Sequence, residues 1–208
     1  MWYLKVSPKI FLGGLIIFLA IFLIVGFIFA DNGYFYNNLI PELTGIAIEL
    51  IVILIVFNYW QESSKKEKLI TIERRLREYL IFFLRHNFNN MPSELKVGRF
   101  YGVDHSRNQD ILEMLRIHIK NEGLKSADVE TIIKYCKRDC TTLENLLPVA
   151  AELTNEHFKS WSRIVFFVNN IAKNTTSVEQ DVMDIIQNIK RFDNASDSHK
   201  LYVGANEV

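Results

Sequence analysis

Two long apolar stretches near the N-terminus constrain the fold of this 208-residue chain more than any other feature. Residues 10–30 contain no charged residue, Asn, Gln or Pro, and residues 39–60 contain only two charged residues, Glu42 and Glu49. A helix rises about 1.5 Å per residue, so each stretch is long enough to cross the roughly 30 Å hydrocarbon core of a bilayer. A cleaved signal peptide would have a shorter apolar stretch of about 7–15 residues. We therefore predict transmembrane spans at about 10–30 and 39–60.

The loop between the two predicted spans is short. Residues 31–38 contain the turn formers Asn32 and Gly33, followed by the aromatic residues Tyr34, Phe35 and Tyr36. Aromatic side chains are enriched where a membrane protein meets the membrane–water interface. Because eight residues cannot return the chain across a bilayer, residues 1–60 are predicted to form an antiparallel transmembrane hairpin.

Basic residues predict the orientation of this hairpin. Lys5 and Lys9 precede the first span, Lys65, Lys66 and Lys68 follow the second, and the loop has no Lys or Arg. The positive-inside rule then places both termini in the cytoplasm. The chain shows no cleavable signal, organelle transit peptide or retrieval signal, so a multi-pass protein of a bacterial inner membrane is the expected localisation.

The rest of the chain has the composition of a water-exposed domain. It holds 22 of the 24 basic and 21 of the 24 acidic residues. We predict an all-α membrane protein in which the hairpin is followed by a juxtamembrane stalk helix (61–90), a cytoplasmic helical bundle of four or five helices (91–192) and a mobile polar tail (193–208). Within this part, Pro148 predicts a kink or a new helix start, after which residues 149–172 are predicted to be helical.

An apolar stripe predicts the stalk helix. Apolar residues recur at spacings of three and four, which is typical of one buried helix face: Leu69, Ile72, Leu76, Tyr79, Leu80 and Phe83. Glu73–Arg77 and Arg74–Glu78 are expected as i,i+4 ion pairs on the flanks of this stripe. Two interpretations of the stripe remain open, because it can pack on its own domain or associate with a second copy of the stalk.

Local capping signals predict where the later helices begin. Ser106-x-x-Gln109 and Thr176-x-x-Glu179 have the pattern of a capping box, in which each of the two side chains accepts a hydrogen bond from a backbone N–H group of the first turn. Ser126 is a predicted N-cap, with Asp128 in the first turn. These signals divide the cytoplasmic part into separate helices.

Catalytic and cofactor motifs are absent from the sequence. The chain contains no GxxxxGK[ST] or GxGxxG phosphate-binding loop, no HExxH zinc pair and no GxSxG nucleophile elbow. Cys136 and Cys140 share a predicted helix face, but no further metal ligands lie near them, so we expect structural thiols, with a redox-responsive pair as the alternative. We therefore predict no catalytic, metal or cofactor site and no enzymatic activity. The zero net charge argues against direct nucleic-acid binding.

The candidate functional residues lie in the second span. Glu49 is about halfway along it, and Glu42 and Gly45 lie seven and four residues earlier, on nearly the same helix face. A carboxyl group within a bilayer is costly, so it should face protein or water rather than lipid. Glu49 then either lines or gates a pore in an oligomer, or is neutral and hydrogen-bonds a neighbouring helix to hold the oligomer together.

The whole layout is similar to the two-transmembrane effector proteins of bacterial anti-phage defence systems, including those encoded beside retron reverse transcriptases. The resemblance is architectural and rests on the hairpin, the short aromatic loop and the helical domain that follows Lys65 and Lys66. It implies a homo-oligomer that permeabilises or depolarises the inner membrane. It also implies a cytoplasmic protein or ribonucleoprotein partner, such as a reverse transcriptase complex, that silences the effector until infection. The alternative is a membrane-anchored interaction or regulatory module whose helical domain binds a cytoplasmic partner.

Overall fold

The protein is all-α, as predicted, throughout the part of the chain that the structure describes. The computed structural model describes residues 40–95 and 105–201, together with eight separate helical positions between 13 and 28. Six α-helices follow in order: α1 (Ile40–Asn87), α2 (His105–Glu122), α3 (Ser126–Asn145), α4 (Leu147–Ala150), α5 (Asn155–Lys173) and α6 (Val178–Ser198). A short 3-10 helix at Ser93–Leu95 lies between α1 and α2.

The chain divides into two compact units, Met1–Glu62 and Ser63–Val208. Among the described residues, α1 is the one helix that is long and apolar enough to cross a membrane, and its most apolar 18-residue stretch is not buried. Much of the predicted first span and the whole predicted loop at 31–38 lie outside the described residues. The two-span hairpin therefore stays a prediction.

The second unit has a continuous hydrophobic core to which every one of the six helices contributes. Residues Ile72, Leu76, Leu80 and Phe83 of the predicted stripe are buried in this core, whereas Tyr79 is 37% exposed. The stripe therefore packs on its own domain, which was the first of the two interpretations. The largest fully buried side chains include Trp161, Tyr135, Phe192, Leu84 and Leu112.

Helix α6 lies at the centre of the second unit. It is antiparallel to α1, because Asp193 contacts Arg77 whereas Ser196, further along α6, contacts Glu73, which comes earlier in α1. The Lys190 ammonium group also binds Glu113 of α2 at 2.6 Å. This position explains why the last helix is almost entirely free of exposed apolar residues although it ends near the C-terminus.

The predicted mobile tail is wrong over residues 193–201. Helix α6 continues to Ser198, Asp193 and Ser196 are completely buried, and Leu201 is 2% exposed. The apolar periodicity stops at Phe192, but the polar residues that follow are buried because they hydrogen-bond to other helices. Residues 202–208 lie outside the described residues.

The predicted cap of α2 is not formed. The helix begins at His105, one residue before Ser106, and the Gln109 amide instead donates hydrogen bonds to the Lys190 carbonyl oxygen and the Asp193 carboxylate. Similarly, α3 begins at Ser126 itself, with Lys125 in the cap position and no side-chain hydrogen bond. The Gln109 side chain, which the capping pattern placed at the start of α2, therefore hydrogen-bonds to α6 instead.

The second predicted capping box is also replaced by tertiary and neighbouring contacts. The N-cap of α6 is Ser177, and the Thr176 hydroxyl group donates to Asp181. The Glu179 carboxylate accepts a hydrogen bond from the backbone N–H of Leu124, which follows α2. Gly123, with φ +73°, makes this turn in the left-handed region, which a residue without a Cβ adopts at little cost.

Pro148 marks a helix start, as predicted, but the helix is short. Pro148 lies in the first turn of α4, which ends at Ala150, and α5 begins only at Asn155. The Thr154 side chain accepts the backbone N–H of His157 and so caps α5. The predicted continuous helix over 149–172 is therefore interrupted at residues 151–154.

Candidate functional site

The three predicted site residues lie on α1 and share one exposed face. Glu42, Gly45 and Glu49 are all exposed, and a Cβ atom added at Gly45 would meet nothing within 4 Å. Among the described residues, neither glutamate forms a hydrogen bond or an ion pair. This face is therefore open to lipid, water or a further helix.

Apolar side chains surround these carboxyl groups. Ile46, Ile53 and Phe57 are about half exposed or more, at 47%, 61% and 53%. A contiguous apolar surface of this kind is rare on a water-soluble monomer and marks a region that contacts membrane or protein. The arrangement thus presents a titratable group within an apolar helix surface, which is compatible with both the pore and the helix-contact interpretation of Glu49.

A second group of polar residues, which we call the buried polar cluster, lies inside the second unit: Glu73, Arg77, His157, Asp193 and Ser196. The Arg77 guanidinium group binds Glu73 at 2.6 Å and Asp193 at 2.7 Å, and each of these three side chains is at most 3% exposed. Two carboxylates therefore share one buried guanidinium group. The bonds join α1 to α6 in the interior of the domain.

The cluster extends to the first turn of α2. His105 Nδ1 lies 2.8 Å from one oxygen of the Asp193 carboxylate, and the Gln109 amide donates to the same oxygen at 2.9 Å. Asp193 thus contacts side chains from two other helices. These partners replace the water that a buried carboxylate loses.

His157 completes the cluster from α5. Burial lowers the pKa of His157 to about 4, so its ring is neutral at neutral pH. The Ser196 hydroxyl group donates to Glu73 at 2.6 Å and therefore accepts from His157 Nε2 at 3.0 Å. The other ring nitrogen, Nδ1, then accepts from the Thr154 hydroxyl group at 2.7 Å. A single chain of hydrogen bonds, from Thr154 through His157 and Ser196 to Glu73, thus gives each of these side chains a partner.

Serine, histidine and glutamate in contact raise the question of nucleophilic catalysis, but the geometry does not fit it. In a catalytic triad the acid contacts the histidine, whereas here Glu73 contacts Ser196 directly and the second ring nitrogen faces Thr154. Ser196 and His157 are also completely buried, so no substrate reaches the hydroxyl oxygen. The cluster joins the four helices α1, α2, α5 and α6 rather than presenting a reactive group.

The sequence contained only part of the signal for this cluster. The Glu73–Arg77 spacing was recognised, but the pair was expected on the exposed flank of the stripe. An ion pair beside an apolar stripe has the same sequence pattern whether it is covered or exposed. Asp193 and Ser196 were missed because they fell in the predicted tail.

The cysteines have different environments. Cys136 is buried, which raises the pKa of its thiol to about 12, while Cys140 is partly exposed. A thiol with a raised pKa is a poor nucleophile and metal ligand at neutral pH. Within residues 40–95 and 105–201 and the few described positions before them, no group of three or more His, Cys, Asp or Glu side chains is placed to hold a metal ion.

Two surface grooves lie on the second unit. The first, which we call the aromatic groove, has a volume of about 470 Å³ between α1 and α3, and its lining includes Tyr79, Phe82, Arg85, Tyr135 and Arg138. Phe82 is 53% exposed and its ring centroid lies 6.0 Å from that of Tyr135. The second, the basic groove, has a volume of about 420 Å³ between α5 and α6, and its lining includes Glu156, Lys159, Arg163, Arg191 and His199.

Comparison of the chain with protein-family models, curated proteins and solved structures found no match.

Proposed function

We propose that this protein is a membrane-perturbing effector of a bacterial anti-phage defence system. In this proposal the chain forms a multi-pass hairpin in the inner membrane with both termini in the cytoplasm. Copies of the hairpin oligomerise and permeabilise or depolarise the membrane when a cytoplasmic protein or ribonucleoprotein partner releases them. The observation that supports the proposal best is the open face of α1, on which Glu49 lies among exposed apolar side chains.

The physical argument begins with the cost of that carboxyl group. Lipid tails cannot hydrogen-bond to Glu49, so a helix that crosses the bilayer gains free energy when another helix or a water-filled path covers this face. Gly45 lies one turn away with open space above it, which permits close approach of a second helix backbone. Self-association through this face would bring several Glu49 side chains together around one axis.

Such an assembly has two states that differ at Glu49. A ring of ionised carboxylates around water favours cation passage, whereas neutral carboxyl groups that hydrogen-bond to neighbouring helices close the interior. The pore interpretation of Glu49 therefore requires that charge at Glu49, and not only a polar side chain, affects membrane potential.

The test compares Glu49→Gln with Glu49→Leu in the full-length chain under an inducible promoter. Gln keeps the size and hydrogen bonding of Glu but has no titratable charge, whereas Leu removes both. If Glu49 lines the path, both variants should lose the depolarisation that induction of the wild-type chain causes, as measured with a potential-sensitive dye. If Glu49 only links helices, Gln should retain depolarisation and Leu should lose it.

Glu62→Gln provides the matched control, because Glu62 is exposed on the same helix but follows the apolar stretch. It should depolarise like the wild-type chain, and membrane insertion of all variants would be verified first. Wild-type depolarisation together with unchanged activity of both Glu49 variants would remove the residue-level basis of the pore. Induction of the wild-type chain without any change in membrane potential would contradict the effector proposal itself.

A membrane-anchored interaction module is the second candidate, and the aromatic groove favours it. Phe82 and Tyr79 are exposed on the helical domain, where an unused aromatic surface is typical of a protein contact. Replacing residues 1–60 with an unrelated two-span hairpin distinguishes the two functions. The module should keep its cellular activity with the foreign hairpin, whereas the effector should lose depolarisation.

A further inference from the structure

The basic groove between α5 and α6 has a surplus of positive charge. Lys159, Arg163 and Arg191 carry permanent positive charges, and the Glu156 carboxylate is the acidic side chain among its lining residues. Glu156 already contacts His199 at 3.4 Å. Within the described residues, neither Lys159 nor Arg163 forms a hydrogen bond or an ion pair. The groove therefore contains cationic groups that no described side chain of the domain neutralises by an ion pair.

These cations are arranged on two walls. Lys159 and Arg163 are four residues apart on α5 and so lie on one helix face, while Arg191 comes from α6. The Arg191 guanidinium group donates to Asn188 at 3.3 Å through one nitrogen, which leaves its other donors available. Guanidinium groups bind phosphate oxygens in pairs and an ammonium group binds them as a point charge. Cations from two walls can thus contact one phosphate group between them.

The groove lies at the end of the second unit at which residues 63–68 of α1 lie. Lys68, the sixth residue of the second unit, binds Glu152 at 2.6 Å, and Glu152 lies in the loop before α5. The first turns of α5 and the last turns of α6 meet there, through the contact of Glu156 with His199. Lys65 and Lys66, three and two residues before Lys68 on α1, are also exposed. Lysines of α1 and the groove cations thus lie at one end of the second unit.

We propose that the basic groove binds the headgroup phosphate of an anionic phospholipid. The volume of about 420 Å³ is in the range of small-molecule sites, and its charge is complementary to a phosphodiester. Each basic side chain near an anionic membrane surface contributes about 1 kcal/mol of attraction. The inference does not depend on whether the protein conducts ions, because it concerns only the helical domain beside a membrane.

The experiment uses the full-length protein in a neutral detergent and measures affinity by titration calorimetry. Three probes distinguish the source of the phosphate: dihexanoyl phosphatidylglycerol, dihexanoyl phosphatidylcholine and inorganic phosphate. The variant Lys159→Gln/Arg163→Gln removes two groove cations. The control Lys134→Gln/Lys137→Gln removes two exposed lysines from one face of α3, outside the groove lining.

We expect phosphatidylglycerol to bind the wild-type chain and phosphatidylcholine to bind far more weakly. Two lost contacts of about 1 kcal/mol each correspond to roughly 30-fold weaker binding by Lys159→Gln/Arg163→Gln. The α3 control should remain within about twofold of wild type, since it leaves the groove cations in place. Arg191→Gln, on the opposite wall, should weaken binding about fivefold by the same reasoning. Arg191→Gln changes one exposed side chain, so it still tests the groove if the double variant loses its circular dichroism signal.

Three results would overturn the proposal. Equal weakening by the groove and α3 variants would show that bulk charge is responsible. Equal affinity for phosphatidylcholine would show that the anionic headgroup is not recognised. Binding of inorganic phosphate without binding of phosphatidylglycerol would exclude a lipid as the ligand of the groove. None of these results would alter depolarisation by the wild-type chain, so failure here is distinguishable from failure of the effector proposal.

Discussion

Removing the Arg77 guanidinium group should destabilise the helical domain more than any other single substitution of a charged residue in it. Arg77 lies between the carboxylates of Glu73 and Asp193, and all three side chains are buried. Arg77→Met keeps much of the apolar stem but leaves two carboxylates without a countercharge. Removing one partner from a buried ion pair costs about 3–5 kcal/mol, because the remaining charge has lost both water and its partner.

The measurement is unfolding of the full-length protein in neutral detergent, followed by far-ultraviolet circular dichroism. A loss of about 3–5 kcal/mol lowers the midpoint of thermal unfolding by on the order of 10 °C for a domain of this size. Arg75→Met is the matched control, because Arg75 is exposed two residues away on the same helix. Its effect should stay within about 0.5 kcal/mol, as is usual for surface substitutions.

A double variant tests the physical reason rather than the size of the effect. Arg77→Met/Asp193→Asn removes one of the two carboxylates that Arg77→Met leaves unpaired. It should therefore be less destabilised than the sum of the two single variants, with a coupling energy of about 0.5–3 kcal/mol. If Arg77→Met costs less than about 1 kcal/mol, or if the two substitutions add, Arg77 does not compensate buried charge.

Three further predictions concern other groups. Burial lowers the pKa of His157 from 6.5 to about 4, so below pH 6.5 the unfolded chain binds a proton that the folded chain does not. The free energy of unfolding should therefore fall by about 2 kcal/mol between pH 7 and pH 5. His157→Gln should reduce this pH dependence. At pH 8, a maleimide should label Cys140 quickly and Cys136 only after denaturation; rapid labelling of both thiols in the native chain would contradict the burial of Cys136. A reporter that is active only outside the cytoplasm should work when inserted at Gly33 and be silent at Val208, and the reverse pattern would exclude the proposed orientation.

The second apolar segment and the stripe of α1 show which parts of a fold can be read from local sequence. The stripe predicted the buried positions Ile72, Leu76 and Phe83 correctly, because a helix repeats every 3.6 residues and its buried face must be apolar along its whole length. The same periodicity predicted a stalk helix over residues 61–90 that follows the second apolar stretch, and α1 runs without interruption through both to Asn87.

Helix beginnings were predicted less well, and the reason is competition. Gln109 and Glu179 have the spacing of capping residues, yet each hydrogen-bonds to a group from a distant part of the chain. A local cap and a tertiary hydrogen bond are similar in free energy, so the pattern alone does not decide between them. The packing of α6 against α2 and against the turn after α2 determines which of the two hydrogen bonds forms.

The candidate sites divide in the same way. Glu49 was identifiable from sequence alone, because a carboxyl group among some twenty apolar residues stands out without knowledge of its neighbours. The basic groove was not identifiable, since Arg163 and Arg191 lie on different helices and become neighbours only when α5 packs against α6.

The sequence by itself determined that this chain is helical, that all but five of its charged residues lie after residue 60, and that one face of α1 is apolar. These properties follow from composition and periodicity, which act over a few residues. The tertiary structure alone decided that Arg77, Asp193 and Ser196 lie in the interior and that the chain remains helical to Ser198. A polar side chain is buried only when partners from other helices replace its water, and those partners are set by packing between segments as much as 123 residues apart.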